Sequence, residues 1–160
     1  MPQLDPRGPQ FNAGLTSVVL IAALLTAPGV TGVVLLALQA ALFASGALLG
    51  VQRTPAAWLF RAFVRPRLAP PAHLEDPRPP RFAQAVGLAF AVVGLAGYLT
   101  GVDVLGAVAT GLALVAALLN AVFGFCLGCE LYLLGRRLAT RSTAADHRQH
   151  TTIEKEETSA

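Results

Sequence analysis

The chain has 160 residues and a formal net charge of +3; 54% of its residues are hydrophobic and only 13% are charged. This composition is typical of a small integral membrane protein, and no nucleic-acid partner is expected. Residues 8–52 contain no Asp, Glu, Lys or Arg, and residues 82–129 contain only Asp103. A helix needs about 20 apolar residues to cross a bilayer, so each run predicts two crossings.

Residues 1–10 are predicted to form a cytoplasmic lead, and residues 11–51 a first transmembrane hairpin that reverses at Pro28 and Gly29. A proline followed by a glycine ends a helix and permits the reversal. The predicted helices cover about residues 11–27 and 30–51. We expect the first helix to be retained rather than cleaved as a signal peptide, because Pro28 directly follows the only suitable cleavage residue.

The central connection, residues 52–81, begins with the sequence "RTPAAWLFRAFVRPRL". Its aromatic residues Trp58, Phe60 and Phe63 alternate with arginines, a pattern typical of a short interfacial helix lying among lipid headgroups. A protein-docking surface is the alternative interpretation. The proline-rich stretch that follows predicts a stiff linker.

Residues 82–138 are predicted to form a second transmembrane hairpin that reverses near Gly101 and Asp103. Its helices are expected over about residues 82–100 and from Val104 onward. Residues 139–160 are polar and predict a disordered cytoplasmic tail. The sequence therefore predicts an all-α integral membrane protein: two tandem hairpins and one short interfacial helix.

The basic residues predict the orientation of these helices. Neither tight turn contains a lysine or arginine, whereas the central connection and the carboxyl-terminal segment contain many. By the positive-inside rule, both termini and the central connection face the cytoplasm of a multi-pass protein in the cell membrane. The arginines of the central connection are Arg53, Arg61, Arg65, Arg67, Arg78 and Arg81.

The two halves of the sequence resemble each other. "DPRGPQF" from Asp5 matches "DPRPPRF" from Asp76 at an offset of 71 residues. This match predicts a duplicated hairpin whose copies run parallel, with a pseudo-twofold axis along the membrane normal. The Asp-Pro-Arg leads are interpreted as helix caps; the alternative is a charged cluster of Asp5, Arg7, Asp76 and Arg78 at the cytoplasmic mouth.

Cys126 and Cys129 are the only cysteines, in the stretch "VFGFCLGCELY". On the cytoplasmic side a C-x-x-C pair is more often catalytic, redox-sensing or metal-binding than permanently oxidised. A tetrahedral zinc site needs four ligands, so only a dimer sharing two pairs would complete one. No cofactor motif and no metal site within one chain are predicted. Three interpretations stay open: a redox or sulfur-relay dithiol, a structural pair of small residues, and a metal site shared in a homo-oligomer.

The reactivity expected of the pair depends on the local helix. If the fourth helix is unbroken, the cysteines lie near its carboxyl end, where the dipole and the adjacent Glu130 oppose a thiolate. If Gly124 breaks the helix and a new one starts near Phe125, the cysteines lie at an amino-terminal end and a thiolate is favoured. Gly128 makes close helix packing beside the pair possible.

The stretches "DPRGPQF", "DPRPPRFAQAVGL" and "NAVFGFCLGCELY" together resemble the membrane family named domain of unknown function 4395, over roughly residues 4–138. The family has no assigned activity. The resemblance implies a thioredoxin-like or rhodanese-like (sulfurtransferase) partner. The expected function is a thiol–disulfide or sulfur-relay component; the alternative is a non-enzymatic structural or transport-accessory membrane protein, so whether the protein is an enzyme stays open.

Overall fold

The structure, a computed structural model, describes residues 4–71 and 74–138. The described residues contain four long helices, α1 (Arg7–Thr26), α2 (Val30–Leu49), α4 (Arg78–Leu99) and α5 (Asp103–Phe123). A short helix, α3 (Pro55–Leu59), follows α2, and α6 (127–138) follows α5. The predicted tail, 139–160 with His147 and His150, lies outside the described residues.

The four long helices are each long and apolar enough to span a membrane. This confirms the predicted all-α class with four candidate spans. Large apolar side chains remain on the outside of the bundle: Leu25 is 80% exposed and Val104 is 76% exposed. Such a surface is unfavourable in water and favourable against lipid, as expected of a multi-pass membrane protein.

The helices α1 and α4 both begin four residues before their predicted starts, at Arg7 and Arg78. The prolines of the two leads lie within or just before the first turn of each helix. The first turn of a helix leaves its N–H groups without intrahelical partners, so a proline there costs no hydrogen bond.

The two Asp-Pro-Arg leads have the same local structure. The Oδ1 atom of Asp5 accepts a hydrogen bond from the Arg7 backbone N–H (3.0 Å), and Asp76 Oδ1 accepts one from Arg78 (2.9 Å). Each aspartate thus forms a local turn just before its own helix, onto the N–H of the first helical residue, which favours the first of the two predicted interpretations. Next to them, Leu4 and Glu75 form an antiparallel β-bridge that joins the two leads.

The long helices pack in a ring: α1 contacts α2 and α5, and α4 contacts the same two helices. Their central residues include Leu20, Leu36 and Phe43, all 6% exposed or less. Small residues allow the closest approach, between α4 and α5. A Cβ added at Gly97 would lie 2.5 Å from the backbone nitrogen of Gly106, so no larger residue fits without moving the helices.

The central connection is helical after Gly50, where α2 ends. A 3-10 turn (Val51–Arg53) precedes α3, and a π-helical turn (Phe60–Val64) and a second 3-10 turn (Arg65–Arg67) follow it. Phe60 is buried and packs against Phe11 of α1, with ring centroids 5.8 Å apart. Trp58 and Phe63 are exposed and pack edge-to-face with each other.

Candidate dithiol site

The end of α5 is set by Gly124, which adopts a left-handed backbone conformation with φ +67°. Glycine is the usual residue at such a helix end because it has no Cβ to clash. The Gly124 N–H donates to the carbonyl of Asn120 (3.0 Å) and the Phe125 N–H to that of Leu119 (3.3 Å). The chain then starts a new helix, α6, so the structure has the second of the two predicted geometries.

Cys126 directly precedes α6, and Cys129 lies in its first turn. The Glu130 N–H donates to the Cys126 carbonyl (3.1 Å), which makes Cys126 the amino-terminal cap residue. The two sulfurs are joined as a disulfide, with the Cα atoms 5.2 Å apart. That spacing lies within the range of ordinary disulfides. When the bond is reduced, the helix amino terminus favours a thiolate at Cys126.

A similar cap lies at the start of α3. There Thr54 is the cap residue, and its Oγ1 atom accepts a hydrogen bond from the Ala57 N–H (3.2 Å). The preceding long helix again ends at a glycine with positive φ, Gly50 at +95°. Thr54 and Ala57 thus stand in the same relation to α3 as Cys126 and Cys129 stand to α6.

The position of α6 is fixed against the beginning of α4. Gly128 is buried there, and a Cβ added to it would lie 2.6 Å from both the Cα and the Cβ of Ala83. Beside this contact, the rings of Phe82 and Tyr132 pack with centroids 5.8 Å apart. Glu130 is exposed, so water surrounds its carboxylate and weakens its repulsion of a nearby thiolate.

Cys126 lines a cavity of about 660 Å³ that extends into the bundle from the end where α2 and α5 finish. Thr54 lines the same cavity, so the two cap residues share it. Arg61 and Arg65 of the central connection also contribute to its lining. Cys129 lies outside this lining and is partly exposed.

The polar side chains inside the cavity are mostly amides. Asn12, Gln84 and Asn120 line it within six residues of their helix ends, about 9 Å along the helix. Deeper in the bundle, Thr16 lines it and accepts a hydrogen bond from Gln39 Nε2 (3.3 Å). The remaining deep lining is apolar.

This cavity is not evident from the sequence. Cys126 stands out there, but Asn12 and Gln84 do not, because a single amide near the end of an apolar helix is common. The sequence does contain one indication of a polar site, because three such amides occur at the same end of three predicted spans. Their convergence depends on which helices are neighbours, and the sequence alone does not determine that.

Metal binding has limited support among the described residues. Within residues 4–71 and 74–138, no group of three or more His, Cys, Asp or Glu side chains could hold a metal ion. Only after reduction of the disulfide would the described residues offer a metal the two thiolates of Cys126 and Cys129, and a closed zinc site requires four ligands.

Four apolar helices with a dithiol at one end of the bundle define a helical membrane protein with a candidate thiol site. The chain belongs to the family described as domain of unknown function (DUF4395), whose family model matches residues 4–137. The predicted resemblance is thereby confirmed. No curated protein and no solved structure matches the chain.

Proposed function

We propose that this protein is a membrane-bound thiol–disulfide exchange component that works through Cys126 and Cys129. The observation that carries the proposal is the start of a new helix after Gly124, which puts Cys126 at a helix amino terminus. This position favours a thiolate and makes the sulfur a good leaving group. The disulfide between the two residues supports exchange more directly than a persulfide relay, which stays a prediction.

We further propose that the bundle is a duplicated pair of hairpins. Helices α1 and α4 start 71 residues apart, the same offset as the sequence match, and the Leu4–Glu75 bridge pairs residues at that offset. The similar caps at Thr54 and Cys126 extend the likeness beyond the hairpins. In this arrangement α3 and α6 are equivalent elements, and both lie at the membrane surface.

The proposed orientation puts the dithiol on the cytoplasmic side. Arg53 and Arg81 lie where α2 ends and α4 begins, and Arg136 lies in α6. The turns at the opposite end of the bundle, residues 27–29 and 100–102, contain no basic residue. The positive-inside rule therefore favours a cytoplasmic dithiol and a soluble cytoplasmic partner.

The two cysteines have different proposed roles. Both cysteines are partly exposed, but Cys126 lines the cavity and Cys129 does not, so a thiolate of a thioredoxin-like partner would attack the Cys129 sulfur. Cys126 would leave as the thiolate that the start of α6 stabilises. Arg61 and Arg65 are exposed and line the same cavity as Cys126, which fits a partner with an acidic surface around its own dithiol.

Trapping of mixed disulfides tests this proposal. The variant Cys126→Ser keeps Cys129 and should accumulate a covalent complex with a thioredoxin-like protein, detected on non-reducing gels and by mass spectrometry. The double variant Cys126→Ser with Cys129→Ser is the matched control and should trap nothing. If Cys126→Ser traps no partner and cellular thiol status is unchanged in the double variant, the pair is structural and the proposal is wrong.

A further inference from the structure

We infer that the cavity beside Cys126 binds a membrane quinone, which accepts electrons from the reduced dithiol. This inference rests on the proposed exchange function and extends it. A disulfide that oxidises a partner must be regenerated by an acceptor of two electrons. Inside a membrane, quinones are the apolar molecules of that class.

The cavity has three zones that suit such a molecule. Its mouth is lined by Cys126 and by three charged residues, Arg61, Arg65 and Asp5. The amides of Asn12, Gln84 and Asn120 line the cavity further in. Hydrogen bonds from amide N–H groups suit the two ring oxygens of a quinone. The cavity volume of about 660 Å³ lies within the range of ordinary ligand pockets.

The third zone is apolar and reaches the depth of the hydrocarbon core. Phe90 and Ala113 lie ten to twelve residues inside their helices, about 15–18 Å from the helix ends. That is about half the thickness of a bilayer core. Leu112 and Val115 also line the cavity, and they are 51% and 54% exposed. Both side chains are apolar, so the alkyl tail of a quinone would contact apolar walls there. A small hydrophilic oxidant would not need such a chamber.

The oxidation of the dithiol by a quinone balances in atoms and electrons with the two cysteines and the quinone alone. The Cys126 thiolate adds its electron pair to the quinone ring and forms a C–S bond. The Cys129 thiolate then attacks the Cys126 sulfur, forming the disulfide and breaking the C–S bond. The released electron pair stays on the ring, and the two thiol protons end on its oxygens. One dithiol is oxidised and one quinone is reduced to hydroquinone.

The test uses the full chain in lipid nanodiscs, reduced and freed of reductant. The probe is decylubiquinone, a fully substituted benzoquinone with no vacant ring position for irreversible thiol addition. We expect one quinone to be reduced per two thiols lost, followed by quinone absorbance and by counting free thiols with maleimide. The double cysteine variant is the background control.

A cavity-filling variant ties the reaction to the proposed site. Ala116 lines the cavity, so Ala116→Phe should slow quinone reduction by about tenfold or more. Ala107 is exposed on the same helix and does not line the cavity, so Ala107→Phe should leave the rate unchanged. The rate at which reduced thioredoxin reduces the disulfide is then measured for each variant. We expect this rate to be the same in both variants as in the unaltered chain.

The outcomes separate this inference from the proposed function. If thioredoxin reduces the disulfide but decylubiquinone does not reoxidise the dithiol, the quinone site is wrong and the exchange function stands. If the quinone reacts equally fast in Ala116→Phe and in the unaltered chain, the cavity is not its site. If neither thioredoxin nor quinone reacts, both ideas are wrong. Slowing confined to Ala116→Phe and to the quinone step supports the inference.

Discussion

The starts of α3 and α6 are similar in backbone and different in chemistry. Each follows a long helix that ends at a glycine with positive φ, Gly50 or Gly124. At α3 the cap is the hydroxyl of Thr54; at α6 the corresponding residue is Cys126. The connections differ in detail, because a 3-10 turn separates Gly50 from Thr54, whereas Cys126 follows Gly124 by two residues. The cap position nevertheless holds a plain structural cap in one half and a candidate redox pair in the other.

This difference shows which features belong to the scaffold and which belong to the proposed function. A glycine with positive φ ends the long helix in both halves, so its role belongs to the scaffold. The dithiol is found only at α6, so the fold does not require it there. Variants at equivalent positions of α3 and α6 can therefore separate folding effects from chemical ones.

Replacing both cysteines is expected to have the largest effect. Cys126→Ser with Cys129→Ser should abolish disulfide exchange, because no sulfur remains to carry it. Serine is a good helix cap, so α6 should persist and the thermal unfolding temperature should change little. The measurements are thioredoxin-dependent reduction and thermal unfolding in detergent. A large loss of stability would instead indicate that the disulfide holds the end of the bundle together.

The reverse experiment installs the pair in the other half. Thr54→Cys with Ala57→Cys should form a second disulfide, because the cap and first-turn positions of α3 match those of α6. Maleimide labelling should then count four thiols after reduction and none before it. Labelling of the new thiols without reduction would show that the two starts differ in geometry more than the backbone suggests.

Adding a methyl group at Gly128 should also have a large effect. Its Cβ would lie 2.6 Å from Ala83, so Gly128→Ala should push α6 away from α4. Overpacking of this kind costs about 1–3 kcal/mol. We expect faster labelling of the reduced cysteines and a lower unfolding temperature. Gly111→Ala, where nothing lies within 4 Å of the added Cβ, is the control and should change neither.

Gly124→Ala should lower the free energy of unfolding somewhat less than Gly128→Ala does. Its φ of +67° lies in the left-handed region, where a residue with a Cβ is destabilised by about 1–2 kcal/mol. The strain favours continuing α5 through the break, which would move Cys126 away from a helix start. Disulfide reduction by thioredoxin should slow, whereas Gly135→Ala, inside α6 with open space around it, should not affect it.

Much of this fold follows from the sequence for simple reasons. Two apolar runs, one without a charged residue and one with only Asp103, are each divided by a proline or glycine turn. They predict four spans, because the bilayer thickness fixes how long each span must be. The helices α1 and α4 begin four residues before the predicted starts, because the polar, proline-containing leads also adopt helical structure and the first turn accepts proline. The offset of 71 residues was visible because both helix starts keep the same capping residues.

The site was less accessible to sequence reasoning. The C-x-x-C spacing identified Cys126 and Cys129, but the choice between an unbroken helix and a restart at Gly124 depends on packing of Gly128 against Ala83. The cavity depends on contacts among four helices, and local patterns do not encode those contacts. Asn12 and Gln84 were therefore missed, although each was visible as a polar residue near the end of an apolar span.

Thr54→Ala should have the smallest effect and is the sharpest comparison of the two caps. It removes the acceptor for the Ala57 N–H, a loss worth about 1 kcal/mol, and Thr54→Ser should restore it. Thr54 and Cys126 line the same cavity. The rate of disulfide reduction by thioredoxin therefore reports whether a change at the Thr54 cap affects Cys126. If the two caps are independent, Thr54→Ala should slightly lower the free energy of unfolding and leave the rate of disulfide reduction unchanged. A slower rate in Thr54→Ala, restored in Thr54→Ser, would mean that α3 helps to position the dithiol across the cavity.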